Sequence, residues 1–345
     1  MKKLEQLVRP NILSLEPYHS ARQEFKGSAD IFLDANESPY NNPLNRYPDP
    51  LQLNLKQHIG AVKGVAAQSI FLGNGSDEAI DLIFRVFCVP GCDNVVGFKP
   101  SYGMYEVCAD INAVEYRKAL LNPDFSLNPD NLLKLVNGRT KVIFLCSPNN
   151  PTGNSLDPSA VESILRQFDG IVVVDEAYAD FSGAKPFRTR LAEFPNLIVL
   201  NTFSKAWSHA AIRLGMAFAA PAIIALLNKI KYPYNINSLT AQAALKAVKE
   251  PFKFGEWIRL ILNERNNVMS AVRELRYCRN VFPTDSNFFL ARFDNAERLY
   301  LYLKAQGIVV RNRSHESLCE GCLRFTIGTP TENNRLVSAL RCYQP

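Results

Sequence analysis

One lysine stands in the stretch Asn201-Thr202-Phe203-Ser204-Lys205-Ala206-Trp207, directly after the apolar run Leu197-Ile198-Val199-Leu200. The run reads as a buried strand, so Lys205 falls just past a strand end. Arg213 follows eight positions later and is itself followed by Leu214-Gly215. Burial and a nearby cation both lower a lysine's pKa and leave more of it as free amine. A free amine condenses with an aldehyde, and Ser204 with Arg213 suits a phosphate carried on that aldehyde. Pyridoxal 5′-phosphate meets both demands. Taken alone, the motif also reads as a surface lysine on a loop.

Other polar residues stand at strand ends. Ile171-Val172-Val173-Val174 runs straight into Asp175-Glu176-Ala177-Tyr178. Four β-branched residues in a row indicate a strand buried on both faces, as in a parallel sheet. A carboxylate at its end needs a partner there, and a protonated pyridine nitrogen would serve. Ile70-Phe71-Leu72 reads as a strand, followed by Gly73-Asn74-Gly75-Ser76-Asp77 opening a helix through Phe87. That arrangement offers an anion free N–H groups and the positive end of a helix dipole, though an ordinary capped helix has the same sequence signature. Tyr102 follows the strand Asn94-Val95-Val96-Gly97-Phe98, where it could stack on a planar ligand or fill the core. The strand from Thr140 to Leu145 ends in Ser147-Pro148-Asn149-Asn150-Pro151-Thr152-Gly153, a rigid loop.

Alternating strands and helices from 70 to 215 predict an α/β domain with a mostly parallel sheet, whose ligands bind beyond the carboxyl ends of the strands. Gly75, Ser76, Tyr102, Asn150, Asp175 and Lys205 all lie there. Residues 1–30 read as an N-terminal arm packing with the small domain, with Tyr18 and Arg22 able to face a ligand. Ile31-Phe32-Leu33 reads as a short strand. The stretch 41–50 carries three prolines around Arg46-Tyr47-Pro48-Asp49. It can form neither helix nor central strand and is expected to lie exposed or against a second subunit. The large domain is expected over 31–245 and a small α+β domain over 246–345. The small domain should carry strands at 287–291, 307–311 and 322–328. Arg311 and Arg324 stand on or beside the last two; they face solvent or form an anion site.

The chain has 345 residues, enough for one large and one small domain, with the apolar and charged fractions of a globular protein. A net charge of +6 without a lysine/arginine run favours anionic small molecules over nucleic acid. No apolar stretch is long enough for a bilayer span, and the N-terminus lacks the apolar core of a signal peptide. Eight scattered cysteines suggest a reducing compartment, hence the cytoplasm. Cys319-Glu320-Gly321-Cys322 has no second pair at zinc spacing and precedes a strand rather than a helix, so it is read as a chance CxxC.

As a set, the lysine segment, Asn149-Asn150-Pro151-Thr152-Gly153 and Val174-Asp175-Glu176-Ala177-Tyr178 resemble the fold-type I pyridoxal-phosphate aminotransferases of the aspartate aminotransferase superfamily. Leu33-Asp34-Ala35-Asn36-Glu37, Arg46-Tyr47-Pro48-Asp49 and Pro100-Ser101-Tyr102-Gly103-Met104-Tyr105 resemble, more narrowly, the histidinol-phosphate aminotransferase family. The resemblance implies that Lys205 holds the cofactor and moves the proton, and that Asp175 pairs with the pyridine nitrogen. It implies that Tyr178 and Asn150 bond the ring's oxygen and that Tyr102 stacks on the ring. Gly75, Ser76, Asp77, Thr202, Ser204 and Arg213 would surround the phosphate, with Tyr47 reaching the phosphate of the neighbouring subunit in a homodimer. Arg324 and Arg311, with Tyr18 and Asn36, would hold the substrate. The implied reaction passes an amino group between glutamate and imidazole acetol phosphate, giving 2-oxoglutarate and histidinol phosphate. The family usually has a glycine before the arginine, where this chain has Ile212; the spacing is kept, so Arg213 is expected to keep its role. An aromatic aminotransferase, a threonine-phosphate decarboxylase and a cofactor-binding regulatory module are the competing readings.

Overall fold

The computed structural model describes residues 2–18, 25, 27 and 29–344. Seven strands form the main sheet: β1 (Ile70–Asn74), β2 (Asn94–Lys99), β3 (Glu115–Leu120), β4 (Thr140–Cys146), β5 (Ile171–Asp175), β6 (Leu197–Thr202) and β7 (Leu214–Ala219). Their order is β1-β7-β6-β5-β4-β2-β3. The pairs β6–β5, β5–β4, β4–β2 and β2–β3 are parallel, and β7 runs antiparallel to both its neighbours. The sheet is therefore mostly parallel, as expected. Its central strands β5 and β6 are buried along their whole length, which is why they are written almost entirely in Val, Ile and Leu.

The antiparallel β7 has a consequence for the site. The start of β7 lies at the same edge as the ends of β1 and β6, so Arg213, one residue before β7, meets Gly75 and Ser204 there. The Gly75 N–H donates to the Arg213 carbonyl at 2.7 Å. Gly215 allows the close approach: a Cβ there would stand 2.1 Å from the Ser76 nitrogen.

A second sheet holds β8 (Cys278–Val281), β9 (Phe288–Phe293), β10 (Arg311–Asn312) and β11 (Cys322–Thr326) in the order β10-β11-β9-β8, antiparallel throughout. It has its own apolar core, in which Phe289, Phe325, Leu299 and Leu323 are fully buried. The long helix Pro251–Arg273 touches both cores: Phe254 packs in the first, Val268 and Val272 in the second.

Several elements differ from expectation. β3 and β8 are not legible as strands because both are edge strands without an apolar run, written EYRKAL and CRNV, with polar residues that suit a solvated edge. β7 is hidden by its junction with the helix Pro221–Ile230, the two reading as one greasy region. Ile31-Phe32-Leu33 forms no strand; Ile31 and Leu33 are largely exposed. The expected strand over 307–311 shrinks to Arg311–Asn312. The described part of the arm docks on the large domain and not on the small one as expected: Leu7, Val8 and Ile12 pack in the first core, the Arg9 N–H donates to the Val86 carbonyl at 2.9 Å, and Lys229 Nζ donates to the Leu13 carbonyl at 2.9 Å. Arg22 and the other residues of 19–24 lie outside the described part of the arm. Among the described residues no helix is long and apolar enough to cross a membrane, and no group of acidic, His and Cys side chains could hold a metal.

Candidate active site

The strand ends open on a cavity of about 440 Å³. Gly75, Ser76, Asp77, Tyr102, Asn150, Asp175, Tyr178, Thr202, Ser204, Lys205, Arg213, Arg311 and Arg324 all line it. The structure thus gathers side chains from both sheets that are up to 249 positions apart in sequence, from Gly75 to Arg324. Five cations face it (Lys205, Arg213, Arg311, Arg313, Arg324) against the carboxylates of Asp77 and Asp175. Such a cavity favours anions.

Asp175 ends β5 and is buried. Tyr105 donates its hydroxyl to Asp175 Oδ2 at 2.7 Å, and the Ala177 N–H donates to Oδ1 at 3.1 Å. Burial nevertheless pushes the carboxyl up to about 6, because two hydrogen bonds do not replace the water it has lost. The group is short of a cation. Tyr105 is fully buried, with its ring on Phe144 at 5.0 Å, and burial and Asp175 hold its phenol well above the usual range. Sequence reasoning assigned Tyr105 no role. The available signal was its place one helical turn after Tyr102.

Lys205 lies just beyond β6, half-buried, its ammonium 5.4 Å from the centre of the Tyr178 ring. Burial lowers its pKa, and Arg324 lowers it further, while Asp175 opposes. The free-amine character expected from sequence therefore has its physical cause in place. Tyr178 is buried edge-on against Phe288, and burial raises its phenol. Asn150 Oδ1 accepts from Arg324 Nη1, so the loop after β4 and strand β11 meet at the cavity wall.

An anion cradle forms at the other end. Gly75 has φ +76°, and a Cβ there would stand 2.7 Å from Arg213 Nη2. The Ser76–Phe87 helix starts at this point, with its first N–H groups toward the cavity. Thr202 Oγ1 accepts from the Ser204 N–H at 3.1 Å, and Arg213 Nη1 is 3.5 Å from Ser204 Oγ. Asp77 accepts from the Tyr102 hydroxyl at 3.1 Å and lies 3.9 Å from Arg213 Nη2. Arg213 keeps this position despite Ile212 before it, and it does so in the left-handed conformation, with φ +54°, that residues with a Cβ rarely adopt.

Three expected residues lie elsewhere in the single chain. Tyr18 is 73% exposed beside Arg9 and Lys229. Asn36 and Tyr47 line a groove with Tyr234, on whose ring Tyr47 stacks at 4.4 Å. Arg313, which sequence reasoning did not single out, does line the cavity. Cys319 and Cys322 are buried thiols, and burial raises the pKa of both.

Pyridoxal phosphate fits these residues. The cavity has an amine for its aldehyde, an unneutralised buried carboxylate for its ring nitrogen, and a helix N-terminus with an arginine for its phosphate. The chain belongs to the class I and II aminotransferases, whose family model matches residues 22–340. Within that class it is similar along its whole length to the histidinol-phosphate aminotransferase of Bacteroides thetaiotaomicron, with 56% identity covering all of both chains. The solved structure of the histidinol-phosphate aminotransferase from Clostridium acetobutylicum shares the fold at TM-score 0.80 and 24% identity, covering 86% of this chain and 90% of that one. The Sinorhizobium meliloti histidinol-phosphate aminotransferase, solved in complex with pyridoxal 5′-phosphate, does so at TM-score 0.78 and 23% identity, covering 86% and 82%.

Proposed function

We propose that this chain is a pyridoxal-phosphate-dependent aminotransferase that moves an amino group between glutamate and imidazole acetol phosphate, giving 2-oxoglutarate and histidinol phosphate. The observation that carries the reading is the single cavity in which Lys205, Asp175 and the guanidinium groups of the second sheet meet. The whole-chain similarity to histidinol-phosphate aminotransferases supports the choice of substrate.

Pyridoxal phosphate supplies an aldehyde that takes up amines and a ring that accommodates the electron pair left when a proton leaves the substrate's α-carbon. The chain's own residues supply the rest. Gly75, Ser76, Asp77, Thr202, Ser204 and Arg213 hold the phosphate. Asp175 keeps the ring nitrogen protonated, and Tyr105 holds that carboxylate in place. Asn150 and Tyr178 would hydrogen-bond the ring's oxygen, and Tyr102 would stack on the ring. Lys205 would hold the cofactor's aldehyde and would serve as general base and acid for the proton at the substrate's α-carbon. The lowered pKa of Lys205 leaves more of it as free amine than an exposed lysine would have. Arg324 and Arg311 bind the anionic groups of the two substrates, and they act on one side of the site because Arg311 stands opposite Arg324 in the β10–β11 pairing. The two halves of the reaction use the same residues in opposite order, so the amino group is conserved and no redox partner is needed.

The test is spectroscopic. The cofactor-loaded protein is expected to lose its visible absorbance when mixed with glutamate and to regain it when a phosphate-bearing keto acid is added. A colour indifferent to glutamate would indicate a cofactor-binding module without turnover.

The working form proposed is a homodimer, with cytoplasmic location fitting its eight free cysteines. Ile31, Leu33, Tyr40, Leu44, Tyr47, Tyr232 and Leu239 expose large apolar surface on two neighbouring stretches of the chain, as a surface awaiting a second copy does. In that dimer Tyr47 reaches the partner's phosphate, and Tyr18 and Asn36 approach a substrate. Mixing Tyr47→Ala and Lys205→Ala chains should then give heterodimers with one intact site each, and about a quarter of parental activity if chains pair at random. Activity no higher than that of the separate variants would rule out the shared site.

A further inference from the structure

We propose that Arg313 determines specificity in this site: its guanidinium leaves Glu316 for the phosphate of the phosphate-bearing substrate and thereby selects that substrate over carboxylates. The inference rests on the substrate reading above and deepens it. Arg313 follows Arg311 by two positions in extended chain, which directs both side chains to the same face. The ladder continues past β10, since the Arg313 N–H donates to the Cys322 carbonyl at 2.9 Å. Both arginines line the cavity with Arg324.

Arg313 also lines a second space of about 580 Å³ next door, together with His315 and Glu316. Its guanidinium therefore stands in the wall between the two. On the outer side Nη1 pairs with Glu316 Oε1 at 2.5 Å. The Nε proton is buried and has no partner. The guanidinium lines the cavity with Arg311 and Arg324, and its planar fork suits phosphate oxygens.

Charge supports the assignment. Arg311, Arg313 and Arg324 oppose one carboxylate, Glu316, leaving a surplus of two positive charges where the three arginines meet. Arg313 is close enough to Arg324 to help depress its pKa, second only to burial. Histidinol phosphate concentrates two negative charges on one group, which matches that surplus. Glutamate carries its two charges on separate carboxylates and cannot satisfy three forks at a point. Glu316 neutralises Arg313 while the site waits, and competes with the incoming phosphate.

The competition gives the test. Arg313→Gln and Glu316→Gln, loaded with cofactor, are compared with the parent for histidinol phosphate binding by calorimetry and for the KM of histidinol phosphate and glutamate. Arg313→Gln should weaken histidinol phosphate about ten- to a hundredfold in both Kd and KM, with a clearly smaller change for glutamate. Glu316→Gln should tighten histidinol phosphate, because the competing carboxylate is gone. If the pair merely staples its turn, both variants lose, and by similar factors on both substrates; that result overturns the proposal. So does a parent that binds histidinol phosphate well while Arg313→Gln binds it equally. A parent that fails to bind histidinol phosphate at all overturns the substrate reading and this inference with it.

Discussion

Lys205→Ala is expected to lower transamination by at least about four decades, since it removes both the anchoring amine and the general base. The folded protein should survive. Burial already disfavours the lysine's charged form, which Asp175 and Asp77 favour only through space, and its ammonium stands over the Tyr178 ring. Losing a cation over an aromatic face costs roughly 0.5–1 kcal/mol, a small part of a domain's stability. Cofactor should still bind, because the phosphate cradle at Gly75, Ser76 and Arg213 is untouched. A variant with near-parental turnover would remove Lys205 from the chemistry; one that fails to fold would show that its role is structural.

Asp175→Asn has the second largest expected effect, and it moves activity and stability in opposite directions. In the cofactor-free protein burial pushes the Asp175 carboxyl up from 3.8 to about 6. The folded state thus holds that proton more tightly than the unfolded chain. Stability on this account is greatest at low pH and falls as pH rises from about 4 to about 6. The cofactor-free Asn variant should therefore equal the parent near pH 4 and exceed it in stability above about pH 6. Loaded with cofactor, the order reverses, because the ring nitrogen loses its partner. Turnover should fall by about two to three decades, the scale of a lost electrostatic contact to developing charge. Thermal unfolding at several pH values, with and without cofactor, together with rates, checks all of this. Equal turnover, or a cofactor-free variant less stable than the parent at high pH, would contradict the pairing.

Much of the fold was legible because its central strands are buried on both faces and are written in unbroken β-branched runs, as in Ile171–Val174. The lysine, the carboxylate and the glycine cradle could be found for the same reason: polar residues directly after such runs stand out. β3 and β8 could not, because these edge strands carry no apolar run. Tyr105 was missed since a tyrosine in a helix reads as core; only the fold shows its hydroxyl on Asp175, seventy positions away. Arg313 was missed because the expected strand ended at Arg311, where the extended backbone in fact continues. Tyr18, Asn36 and Tyr47 remain away from the cavity in one chain, and their assigned roles require a second.

The most direct measurement is the kcat/KM of the cofactor-loaded parent for imidazole acetol phosphate and for phenylpyruvate, with glutamate as donor. The arginine cluster of the second sheet predicts a preference for the phosphate-bearing acceptor of at least about tenfold, the effect of one charged hydrogen bond. A parent that prefers phenylpyruvate, or treats the two alike, would contradict the proposed substrate and favour an aromatic aminotransferase.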